Sequence, residues 1–188
     1  NKTKSLGIPS DYRALVCVFL TGGNDGNNVI VPNHNDANVS NYAAYSAARS
    51  TQGLALQQSA LLPISVPRIG GLSYGLHPAL GTIAGGINPG IHPLWATGKM
   101  ALVTNVGTLV APITRAQYLD GSIPRPYSLF AHNDQINQHQ TCRADTVSLT
   151  GWGGRISDRI TASDNPQRLI PTIASITGPM PFTIGDPT

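Results

Sequence analysis

The sequence predicts an α/β layered fold with a largely parallel sheet. Three mostly apolar runs are strand candidates: 14–20, which is continuous and has the length of a strand buried on both faces, 100–107 and 169–176. Helix-compatible stretches lie between these runs, and strands that alternate with helices are typical of a sheet covered by helices. The 20 Gly and 15 Pro among 188 residues exceed the roughly 12% of an average chain, so the fold is expected to be rich in loops.

The first half of the chain supplies the first strand and one helix. ALVCVFL at 14–20 is followed by the turn-rich TGGNDGNN, which ends the strand. The short apolar run VIV at 29–31 stops at a proline. NYAAYSAAR at 41–49 predicts a helix, because it is rich in Ala and places two tyrosines three positions apart on one face. Residues 51–77 are expected to be mostly irregular.

The middle of the chain is interrupted by proline. Three prolines within 78–98 exclude one long helix and favour two short ones. MALVTNVG at 100–107 predicts the second strand, and 108–128 is expected to be a long loop. A polar helix is predicted over 129–141, with Ser128 as its N-cap.

The last segments predict one more helix and two more strands. WGGRISDRI at 152–160 places apolar residues on one helical face. LIPTIASI at 169–176 and PFTIG at 181–185 are strand candidates. The final GDPT closes no predicted element, so the fold is expected to be incomplete at the C-terminus.

Composition and charge argue against several classes of function. Charged residues make up 11% of the chain, against about a quarter in typical domains. The net charge is +3, but the cations are spread along the chain without the focused patch that phosphate binding requires, so nucleic acid is not an expected partner. No apolar run is long enough for a membrane span, and the chain begins without the apolar segment of a signal peptide. Cys17 and Cys142 have no metal-ligand spacing and are predicted to be unpaired packing residues.

Asp25 is the first candidate functional residue. It lies in TGGNDGNN, directly after the first predicted strand, where ligands bind in open α/β sheets. All nine acidic residues of the chain are aspartates, so any acidic chemistry must come from Asp. A carboxylate at that edge suits a hard cation or catalysis. The alternative is an Asx-rich turn with no role in chemistry.

His132 and Asp134 form the second candidate, with His139 seven residues further along than His132. His and Asp can share a divalent metal or act as base and orienting acid. On a regular helix, however, His132 and Asp134 point about 200° apart, because each residue advances by about 100°. They reach one site only if the segment becomes helical after Asp134, and the alternative is a solvated polar helix.

Arg115 is the third candidate. It lies in the long loop predicted at 108–128, where its planar guanidinium could clamp a phosphate, sulfate or carboxylate. A surface salt bridge is the alternative role.

Several strings occur in the order seen in a widespread bacterial family of unknown function, and the chain resembles that family over about residues 11–176. They are LVCVFLTGGNDGNNVIVP, YGLHPAL, PLWATGKMALVTNVGTLV, TRAQYLDGS, LFAHNDQ and GWGGRISD. Members are commonly exported by the twin-arginine route and belong to the alkaline phosphatase and sulfatase superfamily. The resemblance implies an alkaline-phosphatase-like layered fold in a periplasmic or extracellular protein, with 1–13 as an extension left after signal removal and 14–188 as the N-terminal portion of one domain.

The resemblance also implies site residues. Asp25 matches the first-strand metal ligand of the superfamily, and His132 and Asp134 match part of the family's Ser-His-x-Asp-Gln segment. The serine of that segment is Ala131 here, which cannot act as a nucleophile. Family members are longer, and their later Glu-Phe-Gly-Arg and Asp-His motifs, which resemble the second half of a metal site, do not occur in these 188 residues. A missing C-terminal half or a partner chain is therefore expected to complete the fold.

Two functions follow from this resemblance. The first is a metal-dependent hydrolase of small phosphate or sulfate esters, with a divalent ion (Zn²⁺, Ca²⁺, Mg²⁺ or Mn²⁺) held by Asp25, His132 and Asp134 and the anion clamped by Arg115. Its acid/base residues would be His132 and Asp134. The second is a non-catalytic extracytoplasmic structural, filament-forming or binding protein that keeps the fold, which Ala131, the low charge and the available apolar surface favour.

Overall fold

A computed structural model describes residues 13–82, 86 and 88–186 of the chain. These residues form two compact units: unit 1 ends at Leu102, and unit 2 begins at Val103. Most of the predicted extension at 1–13 lies outside the described residues. The strands are β1 (Ile30–Pro32), β2 (Leu62–Val66) and β3 (Leu72–Leu76), and the helices are α1 (Tyr42–Arg49), α2 (Pro93–Ala96), α3 (Arg115–Asp120), α4 (His132–Thr141) and α5 (Trp152–Asp164).

Unit 1 is built on a small antiparallel sheet with the strand order β1-β3-β2. Leu76 of the central strand lies opposite Ile30 on one side and Leu62 on the other. The short connection between β2 and β3 passes through Gly70 and Gly71, which both adopt left-handed φ angles (72° and 75°) that other residues rarely adopt.

The apolar core of the described residues lies around this sheet. Val31 and Leu76 are fully buried in this core, and Leu61 and Ile64 are almost so. Gly75 makes the packing possible, because a Cβ at this position would lie 2.5 Å from the Cβ of Leu61. A glycine in the central strand thus lets a leucine pack directly over the backbone.

Helix α1 is held to the rest of unit 1 by its two tyrosines. Asn41 caps the helix by accepting a hydrogen bond from the Ala44 amide at 3.0 Å. The Tyr42 hydroxyl donates to the carbonyl of Leu56 at 2.8 Å, and the Tyr45 hydroxyl accepts from the Leu56 amide at 2.9 Å. The helix predicted at 41–49 is therefore confirmed, and its shared tyrosine face binds the loop at 54–56.

Unit 2 is held together by α4, α5 and a short turn of 3-10 helix at Pro181–Thr183. Trp152 at the start of α5 packs edge-on against Phe182, with ring centroids 4.6 Å apart. Gly153 and Gly154 allow this approach, because a Cβ at either position would overlap the Phe182 ring or the Ile184 backbone. Arg155 donates to the carbonyls of Thr150 and Thr141 and so joins α5 to the end of α4.

Three polar side chains are buried in unit 2. They are Gln138, Gln140 and Thr141, all in α4. Gln138 donates to the Tyr127 carbonyl at 2.6 Å, and Gln140 accepts from the Phe182 amide at 3.3 Å. Many large apolar side chains of this unit are exposed instead.

The predicted fold class is wrong. The described residues contain a small three-stranded antiparallel sheet and no large parallel sheet, so the chain does not have the alkaline-phosphatase-like layered fold. The three runs predicted as strands, 14–20, 100–107 and 169–176, lie outside any strand and are largely exposed, with Leu15 at 77% and Val103 at 80% exposure. An apolar run becomes a buried strand only where neighbouring strands and helices cover it. Here the central strand β3 pairs with β2, to which a short turn joins it, and with the distant β1.

Several local predictions also need correction. Residues 51–77, expected to be irregular, carry β2 and β3, and the expected loop at 108–128 contains α3. The strand candidate at 181–185 begins with a 3-10 turn. Ser128 does not cap α4, because the helix begins after Ala131. Both cysteine side chains are free and exposed, so the predicted packing role is wrong.

Candidate functional site

Asp25 lies at the start of a 3-10 turn, Gly26–Asn28, within the glycine- and asparagine-rich loop. Its Oδ1 accepts a hydrogen bond from the Asn27 amide at 3.2 Å, which is the Asx turn that such a sequence favours. Its Oδ2 accepts from the guanidinium of Arg49 at the end of α1. Both carboxylate oxygens are therefore engaged by groups of the protein itself.

The neighbouring Asn28 continues this network. Its side-chain oxygen accepts from the Tyr45 hydroxyl at 2.7 Å, and its amide donates to the Leu54 carbonyl at 2.9 Å. The loop is thus bound to α1 twice, through Asp25–Arg49 and through Asn28–Tyr45. These bonds hold the loop in one conformation and use its polar side chains for structure.

The second candidate group lies at the start of α4 in unit 2. His132 is the first residue of the helix and is exposed, whereas Asp134 is half-buried in the first turn. Because the segment is already helical at His132, the two side chains leave the helix about 200° apart. The geometry that would have brought them to one site, a loop up to Asp134, is not present.

Asp134 has a partner that the sequence did not indicate. The Tyr127 hydroxyl donates a hydrogen bond to Asp134 Oδ1. This bond to the carboxylate raises the pKa of the Tyr127 hydroxyl, and burial and the negative charge of Asp134 act in the same direction. Asp134 also lies where an acidic side chain is stabilised by the N-terminal end of the helix dipole.

Arg115 is the first residue of α3 and is exposed. The helix around it is well defined, since Thr114 and Gln117 form a capping box in which each side chain binds the other's backbone amide. The guanidinium of Arg115 has no hydrogen bond or ion pair with any residue in the described part of unit 2. It is therefore free to bind an anion from solution.

The residues predicted to hold a divalent metal are not gathered into one cluster within either unit of the described chain. Within residues 13–82, 86 and 88–186, no three His, Cys or Asp side chains come together as a metal-binding group. Asp25 in unit 1 is already paired with a cation, which disfavours a second positive charge at that carboxylate. His132 and Asp134 diverge on α4. The metal and catalytic roles predicted for Asp25, His132, Asp134 and Arg115 remain predictions.

The two residues that bind the candidate carboxylates were not predicted from the sequence. Arg49 is separated from Asp25 by 24 positions, and no local pattern signals such a pair. Tyr127 precedes Asp134 by seven positions, across an irregular turn in which Ser128 and Phe130 both have positive φ angles. Only the observed path of the chain brings each pair together.

Comparison with protein-family models, with curated proteins and with solved structures found no match to this chain. In the part of the chain that the structure describes, no helix combines the length and apolar character needed to cross a bilayer.

Proposed function

We propose that this chain is a non-catalytic structural or binding protein that acts by self-association outside the cytoplasm. The observation that carries the proposal is the exposure of three apolar segments, 14–20, 100–107 and 169–176. None of the three contains a charged residue. Large exposed apolar surfaces on a soluble protein mark sites of interaction with other molecules. The location outside the cytoplasm is supported by the sequence resemblance alone.

The exposed fractions are too large for ordinary surface residues. Val16 and Val18 are each 79% exposed, and Ile176 is fully exposed. Burying an aliphatic side chain of this size yields roughly 1.5–3 kcal/mol, so several such residues together supply a substantial driving force for association. The chain has few charged residues and a net charge of only +3, so electrostatic repulsion between copies is small.

The state of the two candidate carboxylates supports a non-catalytic role. Asp25 is bound by Arg49, and Asp134 is bound by Tyr127, so both serve contacts within their own unit. Ala131 provides no nucleophile at the position where the resembling family has serine. Both candidate carboxylates therefore serve the fold, and the position that matches the family's serine has no nucleophile.

Hydrolysis of a small phosphate or sulfate ester remains a second candidate function. It is favoured by Arg115 and His132, which are exposed side chains without a hydrogen bond to any described residue. A guanidinium and an imidazole on the surface of unit 2 could bind and protonate an anionic ester.

Light scattering of the purified chain over a wide concentration range tests the proposal. We expect the average mass to rise with protein concentration, and a chain that stays monomeric throughout would overturn the proposal. Hydrolysis of aryl phosphates and aryl sulfates, measured with added Zn²⁺, Ca²⁺, Mg²⁺ or Mn²⁺, tests the second candidate. Activity that Asp25→Ala or His132→Ala abolishes while each variant remains folded would favour the hydrolase.

A further inference from the structure

We infer that Asn38 is an acceptor site for N-linked glycosylation, at which its side-chain amide takes an oligosaccharide from a lipid diphosphate carrier. The inference rests on the proposed location outside the cytoplasm, where this transfer takes place. Asn38, Val39 and Ser40 form an Asn-x-Ser triplet with no proline at its middle position. Such a triplet is the acceptor sequence for N-glycosylation when it lies on a surface loop of an exported protein.

Asp36 extends the triplet into a longer acceptor sequence. Residues 36–40 read Asp-Ala-Asn-Val-Ser. Bacterial oligosaccharyltransferases recognise an acidic residue two positions before the acceptor asparagine, where a carboxylate can bind a cationic side chain of the enzyme. The other Asn-x-Ser/Thr triplet of this sequence begins at Asn1 and lies outside the described residues. Asn38 is therefore the candidate whose surroundings the structure describes.

The triplet is accessible in the folded chain. Asn38, Val39 and Ser40 are all exposed, and the side chain of Val39 is 45% exposed although it is apolar. The three residues lie in the connection between β1 and α1, and Asn38 belongs to a turn. A surface loop can adapt its backbone to an enzyme more readily than a helix or a strand.

Few hydrogen bonds hold the second half of the triplet. The main-chain groups of Val39 and Ser40 make no hydrogen bond with any residue that the structure describes, and neither does the Ser40 hydroxyl. A segment with few bonds opens at a low cost in free energy. The hydroxyl that completes the triplet is thus available for recognition by a transferase.

The acceptor nitrogen is held by Asp36 alone among the described residues. Asp36 Oδ1 accepts hydrogen bonds from the backbone amide of Asn38 and from its Nδ2, each at 2.9 Å. Both bonds are exposed to solvent, so water replaces them when they break and the net cost is small. Nδ2 can therefore leave Asp36 for a transferase without loss of packing in unit 1.

The transfer is a substitution at the first carbon of the sugar. Nδ2 of Asn38 forms a bond to C1 of the oligosaccharide, and the bond between C1 and the diphosphate oxygen breaks. The lipid diphosphate leaves with the electron pair of that bond. One of the two Nδ2 protons passes to a base of the transferase, so no oxidant or reductant takes part.

Transfer to the folded chain by a purified bacterial oligosaccharyltransferase, with a lipid-diphosphate-linked oligosaccharide as donor, tests the inference. Thr3→Ala removes the triplet at the start of the sequence. We expect the intact mass of this variant to rise by one oligosaccharide, located at 36–40 by mass mapping of its peptides. Asn38→Gln and Ser40→Ala are expected to abolish the addition, whereas Ser40→Thr keeps a hydroxyl and should retain it.

A matched variant moves the acceptor sequence into a helix. Ser46→Asp/Ala48→Asn, made together with Thr3→Ala and Asn38→Gln, places the same five-residue pattern on α1, ending at Ser50. Position 48 is exposed, but the helix holds its backbone, and the Ser50 amide donates to the Ser46 carbonyl. We expect transfer there to be slower by about tenfold or more, because the helix must first open locally. Circular dichroism checks that each variant is folded.

The absence of transfer to Asn38 in the folded chain would overturn the inference. Equal rates at positions 38 and 48 would also contradict it, because the surrounding loop would then not select Asn38. A chain that accepts the oligosaccharide but stays monomeric in light scattering would overturn the proposed self-association and leave this inference standing. A chain that assembles but accepts no oligosaccharide would overturn this inference alone.

Discussion

The guanidinium of Arg49 forms an ion pair with the carboxylate of Asp25, and this pair joins the end of α1 to the loop that was predicted to carry a metal ligand. The side chain of Arg49 is 16% exposed, and that of Asp25 is 39% exposed. The pair is thus partly shielded from solvent, and Asp25 also receives the Asn27 amide. Asp25 therefore links its own loop to α1.

Replacing Asp25 tests this structural role. Asp25→Ala is expected to lower the free energy of unfolding by about 1 kcal/mol, because it removes a turn-capping bond and a partly exposed ion pair. Arg49→Met is expected to have a similar effect. A double-mutant cycle measured by urea denaturation should show a coupling of about 0.5–1 kcal/mol between the two side chains. Zn²⁺ or Mg²⁺ that stabilised the unchanged chain but not Asp25→Ala would instead favour a metal at Asp25.

Gly75 tests the packing of the unit 1 core. Gly75→Ala is expected to destabilise the chain by about 1–3 kcal/mol, because the added methyl group overlaps Leu61 at its Cβ, close to the backbone, and cannot be relieved by a rotamer change. Gly26→Ala is the matched control, since a Cβ there meets nothing within 4 Å. Thermal denaturation of the two variants checks the difference. Equal stability would mean that Leu61 does not pack over the central strand.

Gly153 and Gly154 predict two different responses in unit 2. A Cβ at Gly153 would lie 2.5 Å from the Phe182 ring, and one at Gly154 would lie 2.2 Å from the Ile184 backbone. Phe182→Ala is therefore expected to recover part of the stability lost in Gly153→Ala and none of that lost in Gly154→Ala. Urea denaturation of the single and double variants measures this. Equal recovery in both backgrounds would contradict the described packing of Phe182.

Tyr127 and Asp134 predict a stability change at high pH. The pKa of the Tyr127 hydroxyl is raised above its ordinary value of 10.0, mainly by its hydrogen bond to Asp134. Because the pKa of Tyr127 is higher in the folded chain than in the unfolded chain, the hydroxyl stays protonated to a higher pH when the chain is folded. The hydrogen bond therefore stabilises the fold below about pH 10. This contribution is lost as the pH rises through the pKa of Tyr127 in the folded chain.

The free energy of unfolding is measured between pH 8 and 11, because this interval spans the ordinary tyrosine pKa of about 10. We expect it to fall more steeply with pH in the unchanged chain than in Tyr127→Phe, which has no hydroxyl to titrate. Asp134→Asn keeps a hydrogen-bond acceptor without the charge and should show a smaller dependence. Identical slopes in the unchanged chain and Tyr127→Phe would show that this bond does not form.

Helices were the most predictable part of the fold. α1 and α5 begin within one residue of their predicted starts, since Ala-rich composition and apolar spacing are local properties. α3 was missed, although Thr114 and Gln117 have the spacing of a capping box. The sheet was not predicted, because strand pairing joins distant segments and apolar runs alone do not identify their partners.

For the candidate site residues, too, local features were predictable and long-range contacts were not. The sequence identified Asp25, His132, Asp134 and Arg115 as residue types suited to chemistry, but no local pattern predicted the partners of Asp25 and Asp134. Helical periodicity predicted that the side chains of His132 and Asp134 point away from each other if both residues are helical. Both are helical, because α4 begins at His132.

The sequence by itself determined that the chain is loop-rich, low in charge and limited to aspartate for acidic chemistry, and it located three uncharged apolar segments and the main helices. These properties depend on composition and on neighbours within a few positions. The tertiary structure decided that the sheet is small and antiparallel, that the apolar segments are exposed, and that Asp25 and Asp134 are held by Arg49 and Tyr127. Strand pairing and side-chain burial depend on which distant segments of the chain meet. The hydrophobic effect is non-directional, so it favours the burial of an apolar segment without specifying which segment covers it.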